Sequence, residues 1–491
     1  MAEIHMGGLM SDLDTQSIVD KLLEIRRIPV KTLSTKKEGI EADIAAWSDI
    51  STYMSALTDS LDKLRGWDLW NKMSATSSNT SKLAATASTA ANPGVYSIEI
   101  SQLAQAHSVA SDRASDLSPG ATASTDLVAA GVLTVGDQFN IEGQTITIGA
   151  TESLNSLKGK INAASSSMPA SSRVTAVIMD NRLVITRNNT GDTDISMADS
   201  LGTPLQDLGI LVGPGVWKNE LVTSENASFT VNGAAVTRSS NKGLTDVIEG
   251  VTLNLLEETV SPVTLTIGRD TGAAKNAILD FIDKYNAAAS KLQEYGRISL
   301  IGDKNPDGAL LDNVGELSND SLVRSILTNM RKQATDSKYP TLNPINASYT
   351  YKGLTGVCDS LEDVGVWTQS KENTLAVTDE TKLDYMLANY FDTVEQLFRG
   401  VYDPANGYQN GVASDFYRYS YNVSTSMTGE IDRRITRLNE QVNDIDEDIL
   451  KLELSIENYE TYLWKQFAAM EDAVADMQSE LSWLTSQLGI K

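Results

Sequence analysis

The chain of 491 residues has a formal net charge of -25, so nucleic acid and anionic membrane surfaces are disfavoured as partners. A single cysteine excludes internal disulfides, and only 2 histidines leave little material for zinc sites or general-base catalysis. The length suits about three domains, no apolar run is long enough to span a membrane, and the first residues do not resemble a secretory signal peptide.

The first predicted helix runs from Ser11 to Ile28 and is amphipathic. Asp14 can cap its N-terminus. Its apolar stripe has three members at helical spacing, Ile18, Leu22 and Ile25. Pro29 is expected to end this helix and to open the next one, because proline is tolerated in a first turn but not in a helix interior.

A second predicted helix follows Pro29 and reaches Arg65. Apolar residues recur in it at heptad spacing: Leu33, Ile40, Trp47, Met54 and Leu61. Lys63 and Arg65 in its last turn, followed by Gly66, are stop signals. The amino-terminal end of the chain therefore has the pattern of a helix that pairs with another helix.

Between residues 73 and 267 the composition shifts to Ser, Thr, Gly and Asn, and strand alternation replaces helical periodicity. Asp180-Asn181-Arg182 predicts a hairpin turn, and Asn232-Gly233 predicts another. Short helices are expected at Ser153–Ala164 and at Gly243–Ile248. This part of the chain is therefore predicted to be rich in β structure.

Two further strands, Val251–Leu256 and Val263–Ile267, are expected to pair with each other around Pro262. The helical period then returns, and three helices are predicted: Ala273–Leu292, Leu317–Ala334 and Thr381–Phe398. Tyr402–Asn410 is expected to be a loop.

The longest predicted element is a helix from Thr428 to Leu488 with a single apolar seam in alternating steps of four and three. The seam consists of Ile431, Ile435, Leu438, Val442, Ile445, Ile449, Leu452, Ile456, Tyr459, Leu463, Phe467, Met470, Val474, Met477, Leu481, Leu484 and Leu488. Tyr459–Leu463–Phe467 forms a stutter, and Gly489 stands where a helix often ends. At about 1.5 Å per residue the rod is roughly 90 Å long.

This seam needs a partner, because each large apolar side chain left in water forfeits about 1.5–3 kcal/mol. Its first half, to about Ile456, has a partner of matching length in Leu33–Leu64. Its second half has only Ile18–Ile25 and is crowded with aromatic residues and methionines, which is typical of surfaces that bind other molecules. The alternative is a bundle helix packed wholly against its own chain.

Chemistry-bearing motifs are weak. Asp303–Gly308 matches the start of a calcium loop, but Val314 stands where a bidentate Glu is needed, so turn chemistry is the preferred interpretation. Cys358 is expected to be a small packed residue, and His107 a surface or domain-edge residue. No convergent catalytic set is visible, so we expect no enzyme activity, no cofactor and no bound metal.

Several motifs are similar to those of one family. Gly8–Leu22 is similar to G-L-x-S-G-L-D-T-x-x-I-V-x-x-L, and Asn241 with Thr245–Leu253 is similar to N-x-x-x-D-x-I-x-G-V-T-L. Lys465–Glu471 resembles a carboxy-terminal Q-F-x-x-M-E/D, and Gly94–Tyr96 resembles the entry to a first β domain. At both ends and in parts of the middle, the chain resembles the flagellar filament cap proteins, hook-associated protein 2 (FliD).

The resemblance implies an α+β multidomain fold in which N- and C-terminal helices form a coiled-coil or helical-bundle stalk, with β-rich domains inserted between them. It implies a small ring of identical subunits at the distal tip of the bacterial flagellar filament, which promotes flagellin folding and insertion and prevents monomer leakage. Implied partners are other copies of the chain, flagellin, the hook-associated junction proteins and a cytoplasmic export chaperone. We expect the leg and oligomer contacts at Ile18, Leu22, Tyr462, Leu463, Phe467, Met470, Leu481 and Leu484.

Four domains are expected in this arrangement. A terminal helical leg takes 1–32 and 457–491, a helical bundle 33–72 and 273–456, a β-rich domain 73–110 and 220–272, and an outer variable β-rich domain 111–219. Two other functions remain open at this point. One is another axial flagellar component, such as a hook–filament junction protein or a flagellin-like subunit, and the other is an adhesin that acts through the outer β domain.

Overall fold

The computed structural model describes residues 14–297, 315–335, 348–369, 373–403 and 407–488. The chain divides into two compact units, unit 1 (Met1–Leu69 and Thr271–Lys491) and unit 2 (Trp70–Asp270). Long helices stand near both ends of the chain and β-rich segments lie between them, so the predicted α+β class is confirmed. The finer division into four domains stays a prediction.

Unit 1 begins with one continuous helix, α1 (Thr15–Arg65), which runs straight through Pro29. The predicted break at Pro29 is therefore wrong. Proline frees one backbone carbonyl of the preceding turn, but Ile25 and Ile28 beside it are 62% and 58% exposed, so water can take that carbonyl. The predicted cap is confirmed, because Asp14 Oδ1 accepts a hydrogen bond from the Ser17 backbone N–H at 3.0 Å.

The end of α1 also agrees with the sequence, since Lys63 and Arg65 lie in its last turn and Gly66 follows. A short helix, α2 (Trp67–Trp70), comes next. Unit 2 then contains, in chain order, β1 (Met73–Ser77), β2 (Leu83–Ala87), β3 (Gly94–Gln102), β4 (Ser108–Ala110), α3 (Ala114–Leu117), β5 (Gln138–Ile141), β6 (Gln144–Thr147), α4 (Leu154–Ser166), β7 (Val174–Met179), β8 (Arg182–Arg187), β9 (Met197–Leu201), α5 (Pro204–Asp207), β10 (Leu211–Gly213), β11 (Val216–Trp217), β12 (Glu220–Val222), β13 (Ala227–Val231), β14 (Ala234–Arg238), β15 (Leu244–Ile248), β16 (Val251–Leu255) and β17 (Val263–Arg269).

Unit 2 has two apolar cores. One lies between the five-stranded sheet β1-β17-β3-β13-β14 and the three-stranded sheet β15-β16-β2, and Ile100, Phe229 and Leu253 are buried in it. The other includes residues of the sheets β12-β4-β8-β7 and β6-β5-β9 and of α4, with Phe139 and Ile161 at its centre. The predicted helix at Ser153–Ala164 is confirmed as α4.

Both predicted hairpin turns are present. Asp180 and Asn181 have φ of 51° and 52° between β7 and β8, and Asn232 and Gly233 have φ of 51° and 82° between β13 and β14. Two positive φ values in succession match the right-handed twist of the strands on either side. The turn chemistry of Asn, Asp and Gly was therefore sufficient to place both hairpins.

Two predictions in this region are wrong. Gly243–Ile248 is not a helix, since Leu244–Ile248 forms β15, whose Leu244, Val247 and Ile248 pack on the core and whose partner follows after the turn at Gly250. β16 and β17 do not pair with each other. β16 pairs with β15 and β2 while β17 pairs with β1 and β3, because the segment around Pro262 crosses between the two sheets instead of forming a tight turn.

The rest of unit 1 is mostly helical. Its elements are α6 (Thr271–Tyr295), α7 (Ser321–Thr335), β18 (Ser348–Tyr351), β19 (Leu354–Val357), a 3-10 turn (Leu361–Val364), β20 (Val366–Gln369), β21 (Thr374–Val377), α8 (Glu380–Asn389), α9 (Phe391–Arg399), β22 (Gly400–Asp403), β23 (Gly407–Asn410), α10 (Val412–Ser424) and α11 (Glu430–Leu488). Phe281, Tyr285 and Phe416 meet edge to face in its core, with ring centroids 6.0 to 6.3 Å apart.

The predicted loop at Tyr402–Asn410 is replaced by the hairpin β22–β23, which closes against α9 and α10. The predicted helix Thr381–Phe398 is interrupted at Tyr390, which separates α8 from α9. The terminal helix is confirmed at almost its full predicted length, since α11 has 59 residues. Gly489 lies outside the described residues.

Gly250 offers a test of the packing of the turn between β15 and β16 against Ala91. A Cβ added there meets the Ala91 backbone nitrogen at 2.4 Å, and φ is +73°. Gly250→Ala should lower the free energy of unfolding by at least about 3 kcal/mol, whereas Gly243→Ala should cost about 1 kcal/mol. Gly243 is the matched control, because its φ is +67° but nothing lies within 4 Å. Hydrogen exchange of the β16 amides measures both, and equal effects would contradict the close approach.

Candidate functional site

The two long helices of unit 1 run antiparallel to each other. Lys37 Nζ donates to the Asp446 carboxylate at 2.6 and 2.8 Å, and the Arg26 guanidinium carbon lies 4.2 Å from the centre of the Tyr459 ring. Lower residue numbers on α1 therefore lie beside higher residue numbers on α11. We call the segments 15–37 of α1 and 446–488 of α11 the stalk. By this register Thr15 lies opposite roughly residue 470, so α11 continues for about 18 residues, or about 27 Å, beyond the start of α1.

A row of apolar side chains is buried between the two helices of the stalk. Val19 and Leu23 of α1 and Ile456 and Leu463 of α11 are all less than 9% exposed and form one cluster. Half-buried side chains border it: Leu22, Val30, Tyr459, Trp464 and Phe467. Each of the four buried side chains contributes about 1.5–3 kcal/mol. This row is what joins the two ends of the chain.

The predicted apolar stripe of the first helix is out of phase by one residue. Ile18 and Ile25 are exposed, whereas Val19 and Leu23 are buried. The reason is the continuity of α1 through Pro29, because the heptad row farther along the helix then sets the phase. Counting back from Leu33 in steps of three and four gives Val30, Arg26, Leu23 and Val19, not the stripe that the short segment shows by itself.

Arg26 thus occupies a seam position, where an apolar residue is usual. Its guanidinium stacks on Tyr459, whose ring is in turn stacked with that of Tyr462 at 6.4 Å and 20°. A cation over an aromatic face contributes about 0.5–1 kcal/mol at exposed sites. The hydrogen bond with Asp446 raises the pKa of Lys37, which also occupies a seam position. The sequence pattern predicted neither the Arg26–Tyr459 contact nor the Lys37–Asp446 contact, because a pattern of apolar residues carries no information about polar residues in the seam.

The first half of the α11 seam is covered as predicted: Ile431, Leu438 and Ile445 are buried. In the second half, Leu463 is buried, while Phe467 and Met470 are half-buried. Tyr462, Leu481 and Leu484 are 55%, 61% and 46% exposed. Of the expected contact residues on α1, Leu22 is half-buried and Ile18 is 37% exposed.

The two sides of the stalk differ in chemistry. Residues that directly follow a seam residue lie on one side of the helix pair, and residues that directly precede a seam residue lie on the other side. The reason is that each residue turns the helix by about 100°. The first side is a groove, here called the charged groove, lined by Arg27, Val30, Lys31, Glu453, Ile456, Glu457 and Glu460. Antiparallel helices bring equivalent flanks together, so the residues one before the seam meet on the opposite side. On that side α1 presents Ile18, Leu22 and Ile25, and α11 presents Tyr462 among polar residues such as Asn458 and Gln466.

Candidate chemical sites elsewhere are structural. His107 is fully buried and is therefore not a surface residue, because residues 105–110 run into the sheet of β4, where His107 Nδ1 accepts a hydrogen bond from the Ile195 backbone N–H at 3.1 Å. The other part of that prediction, a residue at a domain edge, stays a prediction. Cys358 is buried as predicted, and burial raises the pKa of its thiol. Across the described residues, no group of His, Cys, Asp or Glu could hold a metal ion, and no helix is both long and apolar enough to cross a bilayer. The calcium-like segment Asp303–Gly308 lies outside the described residues.

Comparison with known proteins gives two profile matches. The profile described as the C-terminus of flagellar hook-associated protein 2 matches residues 224–479, which is more than half of the chain. The profile described as the N-terminus of the same protein matches residues 11–107.

Similar full-length proteins extend these matches to almost the whole chain. The A-type flagellar hook-associated protein 2 of Pseudomonas aeruginosa is 26% identical over 497 residues, which cover 96% of this chain and 94% of that protein. Flagellar hook-associated protein 2 of Escherichia coli K12 is 27% identical over 493 residues, with 99% and 98% covered. A crystal structure of the D1-D2-D3 domains of the E. coli flagellar cap protein FliD covers 80% of this chain and 99% of that chain, at 24% identity and a TM-score of 0.49.

Leu463 and Leu454 provide a matched pair on α11, since the first is 8% exposed and the second 60%. Leu463→Ala removes a buried side chain and should destabilise the stalk by about 2 kcal/mol, whereas Leu454→Ala should change stability by less than about 0.5 kcal/mol. Hydrogen exchange of the α1 amides from Val19 to Val30 reports opening of the stalk directly. Equal protection in the two variants would show that the row does not hold the helices together.

Proposed function

The chain belongs to the flagellar hook-associated protein 2 family, the family of flagellar filament cap proteins, and we propose that it assembles as a small ring of identical subunits at the distal tip of the filament. In this role the ring promotes the folding and insertion of incoming flagellin and prevents the loss of flagellin monomers. The family is a structural one, and we propose no catalytic step for this chain.

One observation carries this proposal beyond family membership. The helix α11 keeps the apolar seam of a coiled coil over its last turns, and Met477, Leu481 and Leu484 of that seam are exposed. Side chains of this kind are costly in water and are sheltered on assembly. A subunit that works in a ring and holds another protein inside it needs such a surface.

The partners follow from the same role. Flagellin is the protein that the ring retains, and the hook-associated junction proteins are its neighbours before the filament grows. A cytoplasmic chaperone that covers the exposed seam before export suits the same surface. We propose that the protein reaches the filament tip outside the cell through the channel of the flagellum.

Truncation after Ile456 tests the role of the stalk. It removes the exposed seam and Leu463 of the buried row, so cells should make short filaments or none and should release flagellin monomers into the medium. Filament length by electron microscopy and flagellin in the culture supernatant are the two measurements. Detection of the truncated protein outside the cell controls for loss of export, and filaments of normal length would contradict the assignment.

The position of the protein in the flagellum distinguishes a cap from other axial components. Gold-labelled antibodies against the full chain should mark only the distal tip of isolated filaments, because a cap stays at the growing end. Labelling along the shaft, or only at the hook–filament boundary, would contradict the proposal.

A further inference from the structure

Residues 188–196 connect β8 to β9, and both of these strands belong to the core of unit 2 that contains α4. This connection, here called the strap, also contacts the other core of unit 2. Thr190 Oγ1 donates a hydrogen bond at 2.6 Å to the backbone carbonyl of Ser239, which follows β14. The Asp192 backbone N–H donates at 3.2 Å to Oδ1 of Asn226, which precedes β13. The strap therefore ties the two cores together.

One peptide bond of the strap, between Asp194 and Ile195, is held from both sides. Its carbonyl oxygen accepts a hydrogen bond from Arg187 Nη1 at 2.9 Å, and its N–H donates to His107 Nδ1 at 3.1 Å. Arg187 and His107 are 8% and 0% exposed, so water does not compete for either hydrogen bond. Because Arg187 holds the carbonyl, the peptide bond presents a donor, and not an acceptor, to the imidazole.

The hydrogen bond from Ile195 fixes the protonation state of His107. A ring nitrogen that accepts a hydrogen bond carries no proton, so the ring is neutral, with its proton on Nε2. A second proton could enter only at Nδ1, where it would point at the N–H of Ile195, and two donors repel each other. The strap in its closed position therefore binds the neutral ring and excludes the charged one.

The charged groups around the ring do not cancel this preference. Glu220 Oε1 of β12 lies 3.4 Å from Nε2, and Asp194 Oδ1 of the strap lies 3.7 Å from it. Their side chains are 34% and 56% exposed, so water weakens their attraction for a charged ring. Arg187 of β8 repels a charged ring, and its own charge is balanced by Glu142 Oε1 at 2.7 Å. The buried contact with Ile195 therefore decides which form of the ring the closed strap accepts.

We propose that His107 is a pH-sensitive latch, which holds the strap closed while the ring is neutral and releases it when the ring takes up a proton. A free imidazole becomes charged below about pH 6.5. The closed strap accepts only the neutral ring, whereas the released strap accepts both forms, so acid favours release. Release breaks the hydrogen bonds of the strap to Ser239 and Asn226, and acid thereby loosens the attachment between the two cores of unit 2.

Hydrogen exchange of the strap amides at about pH 7.5 and about pH 5.5, corrected for the intrinsic pH dependence of exchange, tests the latch. Protection in the full-length protein should fall by up to about tenfold for each pH unit below about 6.5, because release takes up one proton. The Ile195 amide reports the latch itself, and the Asp192 amide reports the attachment to the other core. His107→Gln keeps an acceptor for the Ile195 N–H but does not titrate, so its protection should be the same at both pH values. His5→Gln replaces the only other histidine, so this matched control should lose protection like the unmodified protein.

Nuclear magnetic resonance of protein labelled at the histidine nitrogens tests the latch without a change at His107. The chain has 2 histidines, so the His5→Gln protein shows one imidazole, that of His107. This ring should be neutral with its proton on Nε2 at about pH 7.5, and it should become charged over the pH range in which strap protection is lost. A charged ring at about pH 7.5, or strap protection that does not change with pH, overturns the latch. Loss of protection while the ring stays neutral, or an equal loss in His107→Gln, also overturns it.

Discussion

The burial of one apolar row between α1 and α11 is the constraint on which the rest of unit 1 depends. Val19 and Leu23 meet Ile456 and Leu463 there, although the two pairs lie more than 400 residues apart along the chain. The row has the same phase as the buried heptad positions Ile40 and Trp47 farther along α1, so one phase runs through the whole helix. The positions of the charged groove and of the exposed end of α11 then follow from helix geometry alone.

The seam of the stalk is not uniformly apolar, and its polar members have a physical role. Lys37 meets Asp446 and Arg26 covers Tyr459, and a shift of one heptad would place Leu452 or Gln466 opposite Arg26 instead of Tyr459. An apolar row by itself tolerates a shift of one heptad, since every seam residue then meets another apolar residue. Polar residues in a seam cost some stability and specify register and orientation.

Much of this architecture could be predicted from local patterns. The seam of α11 and the Asp180-Asn181 and Asn232-Gly233 turns are encoded within a few residues, so the sequence sufficed. The failures share one cause, which is that a distant segment decided the outcome. At Pro29 the long heptad row overrides a local stop signal, and in Gly243–Ile248 the neighbouring strands override a weak helical pattern. For the candidate site, the exposed residues of α11 were predictable, but the phase of α1 was not.

The long-range pairings of the chain are nested, so that each pair of segments encloses the next pair along the sequence. α1 pairs with α11, β1 pairs with β17, and β4 pairs with β12, so each segment that leaves a layer lies beside the segment that returns to it. The two segments that flank each insertion are therefore paired with each other, and the inserted residues are attached to the preceding layer at two adjacent points. Evolution can lengthen, shrink or exchange the distal material without reworking the supporting layer. Such a plan lets an inserted segment change in length while the two segments that flank it stay paired.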